Sequence, residues 1–236
     1  MRVVKDEALI KRNGRIGQWT SLGALAVLGV GMYLSFQRPD LFAYSIGALL
    51  LGFTMTQIGM YFSNRFGRSP RPDEKLDAAL KGLPGDTTLY HYTTPAPHLL
   101  VGPMGLWVLL PFHQRGRVTF ERKRWRLRGG GFMQGYMTIF GQEGLGRPDA
   151  EASGQVGAVE KLLAKCLDGD SRPPVSAVLV FTHDKVEIDA VDAPVPAVHM
   201  RKLKDFIRQR ARDGVLRHEV LARVRTCLPG GKNSET

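Results

Sequence analysis

The chain has 236 residues, with 33 Lys and Arg against 22 Asp and Glu, a formal net charge of +11 at neutral pH. Its 43% hydrophobic content excludes a wholly disordered or fibrous protein. Two cysteines, Cys166 and Cys227, are too few for a disulfide-stapled scaffold and lack metal-finger spacing; they read as small apolar residues of a reducing compartment.

Trp19 to Phe36 runs 18 residues without a charge, and Leu41 to Phe62 runs 22 more. About 20 apolar residues suffice for a helix to cross the hydrocarbon core, and a soluble core helix rarely stays uncharged on every face for so long. Gln37-Arg38-Pro39-Asp40 connects the two runs, with Pro39 favouring a turn. The expectation is a tight transmembrane helical hairpin. Arg2, Lys5, Lys11, Arg12 and Arg15 precede it, Arg65, Arg68, Arg71 and Lys75 follow it, and the connector holds only Arg38. Positive flanks stay cytoplasmic, so the expected localisation is the cell membrane, two spans, both termini cytoplasmic. Ala43 with Gly47, and Ala48 with Gly52, are small residues four apart that would let helices approach.

Beyond a polar, basic linker at Ser63–Pro72, the spacing of Leu76, Ala79, Leu80 and Leu83 predicts a helix over Asp73–Lys81, stopped by Pro84-Gly85. Strand-like runs follow at Thr88–Thr93, His98–Val101 and Gly105–Leu110, then a hairpin of Arg117–Glu121 and Trp125–Arg128. Gly129–Gly146 contains seven glycines, with a candidate strand at Tyr136–Phe140. A helix is expected from Ala152 to Leu167, a buried central strand at Val175–Thr182, a short strand at Val186–Ile188, and helices over His199–Arg212 and Val215–Leu228. Strands interleaved with helices predict an α/β domain, a mixed sheet flanked by helices. The expected segments are a basic cytoplasmic N-terminus (1–18), the hairpin (19–62), a linker (63–72), the α/β domain (73–213) and an amphipathic helix with tail (214–236).

Pro97-His98-Leu99-Leu100-Val101-Gly102-Pro103-Met104-Gly105 resembles the central segment of the nuclease-related domain (NERD) family, where Asp-His, three apolar residues and a Gly-Pro-x-Gly turn lead into a strand ending Glu-x-Lys. Gly116-Arg117-Val118, the Glu74…Leu76…Leu80…Leu83-Pro84 helix, Val175–Thr182 and Pro194–Val198 leading into Leu203–Ile207 extend the resemblance over about Asp73–Gln209. It implies a restriction-endonuclease-like, PD-(D/E)xK-type fold. It also implies where a nuclease site would lie, with two carboxylates holding Mg²⁺ and a Lys orienting water. Here the family's Asp, Glu and Lys positions are Pro97, Leu110 and Phe112, none of which offers the oxygen ligand or the cation that the chemistry needs. The expectation is a pseudoenzyme with no catalytic residues, no metal and no cofactor. The alternative is a divergent metal-dependent nuclease rebuilt around Glu74 and Glu121, with His91, His98 and His113 gathering near the sheet edge. No nucleotide-phosphate loop, zinc-helix motif or serine elbow is present, and His183-Asp184 reads as a turn.

Basic side chains concentrate in two places. Arg115, Arg117, Arg122, Lys123, Arg124, Arg126 and Arg128 crowd one hairpin, with Phe120 and Trp125 interleaved and Glu121 the one opposing charge. Between Arg201 and Arg225 nine cations face three acids. Such groups neutralise phosphates, with an aromatic stacking on an unpaired base; they also meet anionic lipid headgroups, or simply stay solvated. The expected function is a membrane-anchored, catalytically inactive binding or scaffold module with DNA or anionic lipid as ligand; a purely structural membrane subunit and homo- or hetero-oligomers remain open.

Overall fold

In the computed structural model the residues described are 1–128, 145–167, 169, 172–212 and 216–229. The candidate strand at Tyr136–Phe140 lies outside them. The chain forms two compact units, Glu7–Glu74 and a second made of Met1–Asp6 with Lys75–Thr236.

The first unit is a helical hairpin. Helix α1 spans Glu7–Gln37, a short 3-10 turn covers Pro39–Leu41, α2 spans Phe42–Phe62, and a π-helical turn continues through Ser63–Gly67. At 1.5 Å per residue α1 is about 46 Å long, starting twelve residues ahead of the uncharged run. Both helices are long and apolar enough to cross a membrane, and only 11% of the most apolar window of each is buried. Trp19, Leu25, Phe36, Tyr44 and Leu50 all stand exposed. The buried residues of α1 are Ile10, Gly17, Ala24 and Gly31, and those of α2 are Ser45, Gly52 and Gly59. Each set repeats every seven residues, a period that keeps a seam facing its partner along a left-handed pair. Small residues occupy the seam because backbones approach there: a Cβ on Gly52 would lie 2.6 Å from Leu28 Cγ, and one on Gly31 would lie 3.1 Å from Ala48 Cβ. The Ser45 hydroxyl donates across the seam to the Gly31 carbonyl at 2.8 Å. This corrects the expected pairs in part. Ala48 and Gly52 line the seam, whereas Ala43 and Gly47 face outward, with nothing near a Cβ on Gly47.

The second unit is mixed α/β, a mixed sheet flanked by helices. Its strands are β1 (Arg2–Lys5), β2 (Thr88–His91), β3 (His98–Gly102), β4 (Gly105–Phe112), β5 (Gly116–Glu121), β6 (Arg124–Arg128), β7 (Val175–Phe181), β8 (Val186–Asp189) and β9 (Ala197–His199). Its helices are α3 (Pro72–Leu80, whose first turn belongs to the hairpin unit), α4 (Pro148–Leu163), α5 (Met200–Arg212) and α6 (His218–Thr226). The main sheet has the order β1-β2-β3-β4-β7-β9. Strands β2, β3 and β4 form an antiparallel meander, and β1, β7 and β9 join in parallel to β2, β4 and β7. A second sheet, β6-β5-β8, carries the basic hairpin.

Period-two alternation along β4 divides the core. Leu106, Val108, Leu110 and Phe112 face α4 and α6 through Val159, Leu163, Leu221 and Val224. Trp107 and Leu109 face α3 and α5 through Leu76, Leu80, Leu203 and Ile207. Two strands were not expected: β9, and β1, which draws Arg2–Lys5 out of the anticipated basic N-terminus and into the sheet.

Candidate functional site

The β3–β4 register pairs Leu99 with Val108, and Pro97 stands in the bend just before β3. Leu110 and Phe112 lie on one face of β4 in the hydrophobic core, and both, like Pro97, are apolar. Leu110 is 2% exposed and Phe112 8%; the Phe112 ring stacks on Phe181 at 5.5 Å.

Glu74 and Glu121, the carboxylates considered for a rebuilt site, each have partners of their own. Glu74 accepts from the Ser69 hydroxyl at 2.8 Å and the Arg71 amide at 3.0 Å, and pairs with the Arg71 guanidinium at 2.9 Å. The Ser69 hydrogen bond, with Arg71, holds its carboxyl below the ordinary value despite some desolvation. Glu121 pairs with Arg128 at 2.7 Å. Among the described residues no group of three or more His, Cys, Asp and Glu side chains is arranged to hold a metal ion.

A polar chain of a different kind lies on the opposite face of the main sheet. His91 and His98, cross-strand partners on β2 and β3, are buried with their Nδ1 atoms 2.7 Å apart. The other nitrogen of His91, Nε2, lies 3.0 Å from Asp77 Oδ1 on α3, and Lys5 of β1 pairs with the second Asp77 oxygen. Burial, the largest single influence on Asp77, raises its pKa. The hydrogen bonds from His91 and Lys5 together outweigh it and leave the carboxyl below its usual range. An ionised Asp77 accepts from His91 Nε2–H; a neutral His91 then accepts at Nδ1 from His98 Nδ1–H, a tautomer assignment inferred from the network. Asp77 and His98 occupy opposite nitrogens of one ring, so no single ion reaches all three. Tyr92, with φ of 59°, closes the cluster edge-on to His98 at 5.0 Å. Sequence reasoning grouped His91 with His98 but missed Asp77 and Lys5, since Asp77 reads there as one more charge in the row of Asp73, Glu74 and Lys81. His113 is exposed beyond the end of β4.

The basic hairpin is less one-sided than its order in the sequence suggests. Arg117, Arg124, Arg126 and Arg128 share the outer face of the second sheet, and Arg122 and Lys123 form the turn. Parallel pairing with β8 brings Glu187 and Asp189 onto that same face, and Arg117 pairs with Asp189 at 2.6 Å. Arg115 precedes β5 and is exposed. Trp125 packs against the core side, edge-on to Phe120 at 5.3 Å, and donates to Asp149 Oδ1 at 2.6 Å. That corrects the expectation of a stacking platform, because this indole is already engaged. Thr119 lies buried between the arginines, its hydroxyl without a hydrogen-bond partner among the described residues.

Arg122 and Lys123 have φ of 51° and 59°. A two-residue hairpin turn of this kind favours Asn-Gly, since non-glycine residues are strained there. Replacing Arg122 by Asn and Lys123 by Gly is expected to stabilise the unit by about 1 kcal/mol while removing two cations. Thermal unfolding of the double variant measures this; an unchanged or lower midpoint would contradict it.

The second basic region turns inward to backbone. Lys204 donates to the Lys81 carbonyl at 2.6 Å, Arg208 to that of Gly82 at 3.2 Å, and Arg225 to that of Asp86. Nearby, burial and then the hydrogen bond to Cys166 push the Cys227 thiol up to about 11. At pH 8 its thiolate fraction is about one in a thousand. A timed iodoacetamide pulse is therefore expected to label Cys227 roughly a hundredfold more slowly in the native protein than in the denatured one, read by peptide mass spectrometry. Equal rates would contradict the burial.

No family model, curated protein or solved structure matches this chain.

Proposed function

We propose that this protein is a membrane-anchored binding or scaffold module. Its α/β unit has a nuclease-like architecture without nuclease chemistry. The observation that carries this reading is that Pro97 and the buried Leu110 and Phe112 are apolar where the resemblance calls for two carboxylates and a lysine. The architecture supports it: a helix (α3), a three-stranded meander (β2–β4), a helix (α4), and a strand (β7) parallel to the last strand of the meander.

The exposed apolar surface of α1 and α2 supports a bilayer anchor. Connectivity supports its orientation. Strand β1 leads into the hairpin and α3 leaves it, and the strand and most of α3 belong to one folded unit. Both ends of the hairpin therefore return to the same side of a membrane, the cytoplasmic side by the charge rule. The ligand we infer is polyanionic, DNA or anionic lipid, met by Arg115, Arg117, Arg122, Lys123, Arg124, Arg126 and Arg128. The exposed cationic turn of Arg122 and Lys123, with Arg124 and Arg126 exposed beside it, supports a polyanionic ligand there.

The test is a titration of the full-length protein in detergent with fluorescent single- and double-stranded DNA at two salt concentrations, with Mg²⁺ or Mn²⁺ added. A fragment starting at Arg71 would lack β1. Salt-sensitive binding without cleavage is expected for a DNA ligand. Metal-dependent cleavage abolished by Glu121→Ala would replace this reading with a divergent nuclease. No binding at either salt would turn the ligand to lipid.

A further inference from the structure

Helix α1 is about 16 Å longer than the roughly 30 Å hydrocarbon core of a bilayer. The excess lies at its N-terminal end, where charges are concentrated. Lys11, Arg12 and Arg15 share one stripe with Ala8, Ile16, Trp19 and Thr20, spaced i, i+3, i+4, i+7 and onward, and this stripe lines a shallow open groove of about 560 Å³. Trp19, 73% exposed, stands one turn past Arg15 at the start of the uncharged run, where an indole marks the headgroup level. The antiparallel partner adds charge at the same height. A Cβ on Gly14 would lie 3.2 Å from the Phe66 carbonyl oxygen, so Arg65 and Arg68 flank the same stretch of α1; Arg65 itself lies over the Tyr61 ring at 4.4 Å.

These cations are almost unopposed. Lys11 has only Glu7, at 3.6 Å with both side chains exposed, and neither Arg12 nor Arg15 has an acidic partner among the described residues. At the other end of the hairpin the single cation, Arg38, is matched by Asp40 at 3.2 Å. The asymmetry concentrates positive potential at one headgroup layer, above a groove whose lower wall is Ile16 and Trp19.

We propose that Lys11, Arg12 and Arg15, with Trp19 below them, form a binding site for the phosphate of an anionic phospholipid, its acyl chain lying along Ile16 and Trp19. A zwitterionic lipid carries its own cation and gains little from this field; an anionic one gains the full attraction. The site rests on the reading of α1 and α2 as a membrane hairpin, and it is separate from the arginines of the second sheet.

The experiment uses the full chain in nanodiscs of phosphatidylcholine with a minority of phosphatidylglycerol, and measures retained lipid after purification by native mass spectrometry. Each cation near the surface contributes about fivefold to affinity at low salt, so K11Q/R12Q/R15Q is expected to lose retained phosphatidylglycerol by up to about a hundredfold. Phosphatidylcholine stays unchanged. K161Q/K165Q/K185Q, which removes the same charge from the α/β unit, is expected to behave as wild type. Equal retention by both triple variants would overturn the site, as would displacement of the lipid by soluble glycerol phosphate at comparable concentration. Release of the chain from membranes by a carbonate wash would overturn the hairpin reading and the site together. An integral chain without preference for phosphatidylglycerol would overturn the site alone.

Discussion

Replacing Asp77 by alanine is expected to destabilise the α/β unit by about 3 kcal/mol. The carboxylate joins three elements: β1 through Lys5, β2 through His91, and its own helix α3. Truncation leaves the His91 Nε2 donor buried without its acceptor and removes the counter-ion of Lys5. Thermal or urea unfolding of the full chain, followed by the near-ultraviolet signal of the α/β unit, measures the loss, and a change under about 0.5 kcal/mol would contradict the role assigned to the cluster. Asp77→Asn separates charge from shape. Because Asp77 is held below its ordinary range, the native state releases that proton more readily than the unfolded chain does. Its stabilisation is therefore complete above about pH 4, and it is lost as pH falls through the depressed native value. Below pH 4 the wild type is expected to lose stability faster than Asp77→Asn. Parallel acid limbs would show that the carboxylate's charge is not what stabilises the cluster.

The second large effect is expected in the hairpin. Leucine at Gly52 places its Cβ 2.6 Å from Leu28 Cγ and 3.3 Å from the Leu28 backbone nitrogen. The side chain of Leu28 can shift; its backbone cannot without opening the seam. Overpacking of this kind costs about 3 kcal/mol and separates the Ser45 hydroxyl from the Gly31 carbonyl. Gly47→Leu is the matched control, since nothing lies within 4 Å of a Cβ there. Thermal loss of helical circular dichroism in detergent is expected to come earlier for Gly52→Leu and to be unchanged for Gly47→Leu. Identical curves for the two variants would contradict the seam.

Much of this was legible in the sequence, and what was missed has physical reasons. Two uncharged runs around Pro39 give the hairpin because helix length against bilayer thickness is a coarse criterion. The seam was only half readable: spacing by four finds small residues, but Ala43–Gly47 and Ala48–Gly52 satisfy it equally. Only the partner helix distinguishes them, through a seven-residue repeat running over both. Strand β1 was hidden because Arg-Val-Val-Lys is short and charged at both ends; its strand character comes from parallel pairing with β2, 86 positions away in register. That Pro97, Leu110 and Phe112 are apolar was readable in the sequence; the burial of Leu110 and Phe112 in the core comes from the fold. The Asp77–His91–His98 chain was not, since its members lie on a helix and two strands and meet only when α3 packs on the sheet. The balance of the basic hairpin was misjudged for the same reason: Glu187 and Asp189 are distant in sequence and adjacent in the sheet.

The proposed orientation of the hairpin rests on the charge rule and on β1 and most of α3 belonging to one folded unit, and labelling tests it most directly. In intact cells carrying the Gln37→Cys variant, a membrane-impermeant maleimide is expected to modify the introduced thiol in the connector, while Cys166 in the α/β unit reacts only after permeabilisation. Labelling of Cys166 in intact cells, or protection of the connector thiol until the membrane is opened, would contradict a two-span anchor with both ends on the cytoplasmic side.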